Sequence, residues 1–392
     1  MNLDAIQSAL REQKLDAWLF YDHHHRDPIA YRILGLSETL HVTRRWYYLV
    51  PAQGEPRKLM HRIEQGRLDP LPGEKTLYST WQEHEASLRD LVAPYKNIAM
   101  QYSRNNAIMY VSLVDAGTVE LVRGFGKNVV SSANMISQFE AVLSEEQIAS
   151  HFVTQKKVDD ILADAWREIG RRVARGKVTE YDIVVWMREA MAREGLTNEG
   201  IGPNVSVNQN SSDSHYDPTA ESSKEIHKGD FVLIDVWAKQ AKGHALYYDI
   251  TWTAVVGRKP SEREKQVFNV VRDARDAAIK LIQDAFVAKK PIAGWQADDA
   301  ARGVIKAAGF GQYFTHRTGH NIANDLHGNG AHLDNFETHD ERLILPDTCF
   351  SVEPGIYLPE FGIRNEVNMI ARAGRAEVTG HKQDSLVEIE LV

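Results

Sequence analysis

The sequence predicts an α/β amino-terminal domain, residues 1–143, followed by a larger α+β domain, residues 144–392. Three observations carry this expectation. A length of 392 residues exceeds the ~150 typical of one domain. Short apolar runs alternate with amphipathic stretches through the first third, as strands and helices layered on a sheet would. A capping box, Ser144-Glu145-Glu146-Gln147, opens a long charged amphipathic helix that runs to about Arg172 and marks the boundary.

Each element has its own signal. Leu3, Ile6 and Leu10 share one face of an opening helix, and Ala17-Trp18-Leu19-Phe20 reads as a buried strand. Further strands are expected at 46–50, 57–61 and 97–100, and helices at 83–91 and 106–113. In the larger domain, Thr179 and Asp182 open a second helix, a strand region starts at Val205, and two strands flank Lys239 to His244. Ser261-Glu262-Arg263-Glu264 caps a third long helix, and a fourth covers 296–308. The order helix pair, hairpin, helix pair, hairpin suggests two similar halves.

Composition narrows the function classes. With 43% hydrophobic and 26% charged residues the chain is ordinary for a globular protein. A net charge of −8 without a basic block argues against nucleic acid or an anionic membrane as partner. The single cysteine, Cys349, excludes a disulfide framework and a multi-thiolate zinc site, and suits a reducing cytoplasm. No leader-like apolar segment and no run of ~18 apolar residues appears, so a soluble cytoplasmic protein is expected. Gly124-Phe125-Gly126 and Gly309-Phe310-Gly311 read as turns, and no Gly-x-Ser-x-Gly elbow is present.

Four acids stand in strands where an acid costs stability. In Phe231 to Trp237, Asp235 shares a face with Phe231, Leu233 and Trp237, and a regular hairpin turning at 241–243 places it directly opposite Asp249. Downstream, the same counting sets Glu353 opposite Glu366. Opposed carboxylates in apolar strands call for a cation or a raised pKa. A single strand acid is usually exposed or paired with Lys or Arg, and a carboxylate pair could instead do acid/base work, as in glycoside hydrolysis, but that leaves two acids unexplained. Four acids at mirror positions favour metal. Sixteen histidines add to this, several crowded into the Gly- and Asn-rich segment Thr315 to Gly330. One imidazole with four carboxylates makes an oxygen-dominated shell for two divalent ions. Spacing alone does not choose among His316, His320 and His327.

The ordered series Asp235, Asp249, His320, Glu353 and Glu366, with Ser351-Val352-Glu353-Pro354-Gly355 and Gly362-Ile363-Arg364-Asn365-Glu366 around the last two, resembles the pita-bread metallopeptidases of the creatinase/prolidase branch. The resemblance spans the whole chain and implies a creatinase-like α/β amino-terminal domain and an α+β pita-bread catalytic domain. It implies that those five residues hold a dinuclear metal centre, with manganese first and cobalt, zinc or iron as alternatives. His215 and His327 match the family's catalytic histidines, Glu353 would carry the proton, and Arg364 would orient the carboxylates from behind. The implied activity is hydrolysis of peptide bonds next to proline, in Xaa-Pro dipeptides, with an Xaa-Pro aminopeptidase acting on longer peptides as the alternative. A creatinase-like or non-hydrolytic member of the fold is the remaining reading.

Several positions depart from the family pattern. Lys239-Gln240-Ala241 reads as an insertion in the turn of the first hairpin; Gly328, Asn365 and Val367 replace commoner residues; and the short link Leu358 to Phe361 leaves no room for the arginine that usually holds a proline carboxylate. A homodimer is expected, since residues 1 to 143 carry no ligand yet show His23 to His25 and the aromatics Trp46, Tyr47 and Tyr48, read here as exposed.

Overall fold

The computed structural model describes residues 1–392 and divides into two compact units, Met1–Glu140 and Ala141–Val392. The first unit contains, in order, α1 (Leu3–Glu12), β1 (Ala17–Asp22), α2 (Pro28–Leu34), β2 (Trp46–Pro51), β3 (Arg57–His61), β4 (Glu74–Tyr78), α3 (Trp81–Val92), β5 (Asn97–Met100), α4 (Ala116–Gly124), β6 (Asn128–Ser131) and α5 (Ala133–Glu140). Its six strands form one sheet in the order β4-β3-β2-β1-β5-β6. β2 runs antiparallel to both neighbours, and every other adjacent pair is parallel.

This sheet corrects one expectation. Trp46, Tyr47 and Tyr48 are 1%, 0% and 0% exposed. They lie in a strand covered on both faces, so consecutive side chains enter opposite cores: Trp46 and Tyr48 pack with Trp18 and Phe20, and Tyr47 with Leu19 and Tyr21. An uninterrupted aromatic run is the signature of a sandwiched strand, and these residues offer no surface to a second copy. The helix expected at 106–113 is also absent. Asn105 and Asn106 take left-handed backbone angles, φ 55° and 54°, which break any α-helical run, and only short 3₁₀ turns form at Arg104–Asn106 and Met109–Val111.

Asp27 caps α2, its Oδ1 accepting from the Ala30 amide at 3.0 Å, while its buried Oδ2 has no hydrogen-bond partner. Burial, reinforced by the neighbouring Asp22, lifts its carboxyl to about 7. The folded chain therefore keeps this proton over a range in which the unfolded chain has lost it. The resulting stability is present at acid pH and is lost as pH rises from about 4 to 7. Asp27→Asn keeps the cap and removes the charge. Urea titrations at pH 5 and pH 8 are expected to show the variant losing less stability across that interval than the parent, by roughly 2–4 kcal/mol at most. Equal pH slopes would contradict the assignment.

The second unit opens with α6 (Glu145–Arg175), α7 (Glu180–Arg193), β7 (Leu196–Thr197), β8 (Asn204–Val207) and the long hairpin β9 (Phe231–Gln240) and β10 (Tyr248–Val256). It continues with α8 (Glu262–Val287), α9 (Gly294–Ala307), β11 (Asn321–Ile322), β12 (Thr348–Val352), β13 (Gly355–Tyr357), β14 (Gly362–Arg364), β15 (Val367–Arg372), β16 (Arg375–Thr379) and β17 (Val387–Ile389). The capping boxes read at Ser144, Thr179 and Ser261 all form: Ser144 Oγ accepts from the Gln147 amide at 3.2 Å while Gln147 Oε1 accepts from the Ser144 amide at 2.9 Å, and the other two repeat the pattern. Each half of this unit has its own core, one between α6, α7 and the β9-β10 hairpin, the other between α8, α9 and the β12-β15 pair.

Candidate metal centre

The two hairpins meet through side chains that clamp backbone. Asn368 of β15 accepts from the Asp249 amide at 2.8 Å and donates to the Asp249 carbonyl at 2.8 Å, and the Glu366 amide donates to the Thr251 carbonyl at 3.1 Å. These bonds set Asp249 and Glu366 side by side.

The register of the second hairpin agrees with the counting. Val352 pairs with Val367, Gly355 with Arg364, and one register runs through the gap between them, so Glu353 and Glu366 occupy mirror positions where the ladder is interrupted. In the first hairpin the register is shifted. Asp235 lies opposite Thr251, and Asp249 opposite Trp237. The aspartates are thus diagonal neighbours on one face, a two-residue slip that keeps every side chain on its side of the sheet. Lys239 and Gln240, read as part of a turn insertion, instead extend β9 and pair with Thr197 and Leu196 of β7.

Three ligand groups converge: one donor atom each from Asp249, His320 and Glu366 lies within 4.8 Å of the others, and all three residues are buried. His320 Nδ1 lies 3.3 Å from the Asn321 carbonyl, to which it can only donate. Its Nε2 then presents a lone pair toward Asp249 Oδ2 at 3.5 Å and Glu353 Oε1 at 3.4 Å. Acceptor faces acceptor, and only a proton or a cation between them reconciles the geometry. Gly319 permits this placement, since a Cβ there would sit 2.1 Å from the Ser351 carbonyl oxygen. Ser351 completes the support, its Oγ accepting from the His320 amide at 2.9 Å and donating to Glu353 Oε1 at 3.0 Å.

Hydrogen bonds do not satisfy the acids. Thr251 Oγ1 lies 2.7 Å from Glu366 Oε2 and 3.1 Å from Asp235 Oδ1 but has one proton to give. Arg364 contacts Asp235 Oδ2, donates to Thr251 Oγ1 at 2.9 Å and lies 3.8 Å from Glu353. Asp249 Oδ1 and Glu366 Oε1 are buried with no hydrogen-bond partner. Burial first, and neighbouring acids next, push the Asp249 and Glu366 carboxyls well above the usual range; burial also raises Glu353. Four carboxylates against one guanidinium, two of them with an unpartnered buried oxygen and two facing the His320 lone pair, form a donor set that fits divalent cations.

The predicted site residues therefore gather unequally. Asp249, His320 and Glu366 form the tight group, Glu353 adjoins His320, and Asp235 is turned to Arg364. His327 is exposed, its ring packed edge-on against His320 at 4.2 Å, and this neighbouring imidazole lowers its pKa. His215 is exposed in a loop whose Ser214 carbonyl accepts from Arg364 at 3.4 Å. Sequence reasoning missed the residues that position these groups. The buried carboxylate of Glu180 accepts from the Val207 and Lys224 amides, Asn210 and the Tyr216 hydroxyl, fixing the loop that bears His215. His316 Nε2 meets the Tyr357 hydroxyl at 2.7 Å, and Arg364 donates to that hydroxyl at 3.1 Å. For Thr251 a signal was available, a hydroxyl on the acid-bearing face two residues after Asp249.

Residues 154–373, more than half the chain and the stretch that contains every one of these side chains, match the metallopeptidase family M24. The chain belongs to metallopeptidase family M24. Among curated M24-like relatives, the Xaa-Pro dipeptidase of Lactobacillus helveticus is 30% identical over 206 residues, 52% of this chain and 51% of that one. The Xaa-Pro dipeptidase of Pyrococcus furiosus is 32% identical over 141 residues, 36% of each chain. The chain thus spans about half or less of the length of these two relatives. The whole fold is shared with solved structures: dipeptidase PepE from Mycobacterium ulcerans, with a TM-score of 0.69 at 20% identity, covers 99% of this chain and 97% of its own. The prolidase of Pyrococcus horikoshii has a TM-score of 0.61 at 20% identity, covering 98% of this chain and 99% of its own. The α/β amino-terminal unit and the pita-bread arrangement of the second unit are those of this M24 fold.

Proposed function

We propose that this chain hydrolyses peptide bonds preceding proline, most simply in Xaa-Pro dipeptides, with two divalent ions held by Asp235, Asp249, His320, Glu353 and Glu366. The observation that carries this reading is that Asp249 and Glu366, which converge with His320, each keep a buried oxygen, Oδ1 and Oε1, without a hydrogen-bond partner. The relatives' name, Xaa-Pro dipeptidase, supports the substrate class.

When bound, divalent ions supply Lewis acidity, lowering the pKa of water and polarising the scissile carbonyl. The residues of the chain do the remainder. Glu353, held by Ser351 and close to Arg364, is placed to take a proton and return it to the leaving nitrogen. His327 and His215 offer N–H groups to the substrate's carbonyl oxygen as charge develops there. Arg364, bound to Asp235 and Thr251, holds the first hairpin's acid in register.

The test uses purified enzyme. Chelator-treated protein is expected to lose Ala-Pro hydrolysis and to regain it with Mn²⁺, and Ala-Pro is expected to be turned over faster than a longer peptide beginning Ala-Pro. Turnover unaffected by chelation would reject the hydrolase reading, and preference for the longer peptide would move the activity to an aminopeptidase.

A further inference from the structure

We propose that the amino-terminal unit carries a binding pocket for a small anionic molecule bearing a phosphate or carboxylate group. A cavity of about 720 Å³ opens at one edge of its sheet, lined entirely by residues of that unit. β1, β3 and β4 are mutually parallel, and their carboxyl ends supply Tyr21, His61 and Tyr78 to its wall, while Arg44 and Arg45 enter just ahead of antiparallel β2 at the same edge. The carboxyl edge of parallel strands is where open α/β sheets place their ligands.

The charge of this cavity is unbalanced. Three guanidinium groups, from Arg26, Arg44 and Arg45, line it against a single acid, Asp115. That acid is already occupied: it accepts from the Thr118 amide and hydroxyl, each at 2.9 Å. Arg44 Nη1 reaches only the carbonyl and hydroxyl of Thr43, at 3.2 and 3.0 Å. Glu64, the other carboxylate near this segment, is taken up by the Thr43 and Arg44 amides and the Thr43 hydroxyl. Arg45 is only partly exposed, and its backbone is pinned by the Tyr78 hydroxyl, which donates to its carbonyl at 2.8 Å. Arg45 makes no ion pair with an acid, a guanidinium partly withdrawn from water is costly without a counter-charge, and its fork matches two oxygens of a phosphate or carboxylate. Trp81, 67% exposed at the rim, presents an aromatic face that a bare ion would not need. The volume and this face point to an anionic group attached to a small organic body.

The decisive measurement is calorimetric titration of the full-length enzyme with inorganic phosphate and, separately, with succinate, at ionic strength held constant with chloride. At least one anion is expected to bind saturably, and the stronger of the two identifies the phosphate or the carboxylate source. Arg45→Gln and Arg44→Gln are each expected to weaken that binding about tenfold, with an unchanged circular dichroism spectrum. Arg263→Gln, in the second unit, is expected to leave it unchanged. Because Arg44 is exposed, its variant gives an answer even if Arg45→Gln folds poorly. Absence of saturable binding by either anion up to about 10 mM overturns the proposal. So does an affinity that neither arginine substitution alters, since the anion then sits elsewhere, the metal centre included.

Discussion

Asp249→Asn and Glu366→Gln are each expected to abolish measurable Xaa-Pro hydrolysis, by at least about a hundredfold, and to lower metal occupancy. Both substitutions keep volume and remove charge at a residue no more than 4% exposed, so packing changes little. The same substitutions have an opposite signature in metal-free protein. There the parent chain holds carboxyls whose pKa burial and neighbouring acids have raised, and neutralising one relieves like-charge repulsion. Metal-free Asp249→Asn is therefore expected to melt at or above the parent's temperature, while the increase in melting temperature produced by added Mn²⁺ disappears. Metal analysis, turnover and melting together separate a ligand from a residue that merely supports the fold. Normal turnover with two ions per chain in either variant would remove that residue from the ligand set.

The acids were legible because a register error of an even number of residues leaves each side chain on its own face of the sheet. A slip of two residues moved Asp249 from opposite Asp235 to opposite Trp237, yet left both acids on one face, because side chains alternate with period two. The second hairpin was read correctly through its interruption at Glu353 and Glu366, since both flanking ladders keep one register. Capped helices were equally plain, because Ser144, Thr179 and Ser261 satisfy local amides and need nothing distant. The supports that join remote segments could not be read. Asn368 clasps the Asp249 backbone across 119 residues, and Glu180 gathers the His215 loop from 27 to 44 residues away. No local pattern marks such partners. Trp46 to Tyr48 failed for a related reason: whether an aromatic strand is covered on both faces depends on helices elsewhere in the chain.

His320→Ala and His327→Ala are expected to fail differently, although their rings touch at 4.2 Å. His320 is only 3% exposed, its Nδ1 engaged with the Asn321 carbonyl and its Nε2 directed between Asp249 and Glu353. Removing it deletes a donor from the centre of the acid cluster, and metal stoichiometry should fall toward one ion per chain with turnover lost alongside. His327 stands seven residues later on the exposed side of the same ring, after the exposed residues Asn324 and Asp325. It approaches no carboxylate of the cluster as closely as His320 does, and its position suits an N–H donated to the substrate carbonyl. His327→Ala should retain both ions and the Mn²⁺-dependent rise in melting temperature, while kcat falls about a hundredfold and KM moves much less. The pair is read by metal analysis on the same preparations used for kinetics. Equal metal loss in both variants would place His327 among the ligands, and an unchanged kcat in His327→Ala would leave the carbonyl oxygen to His215 alone.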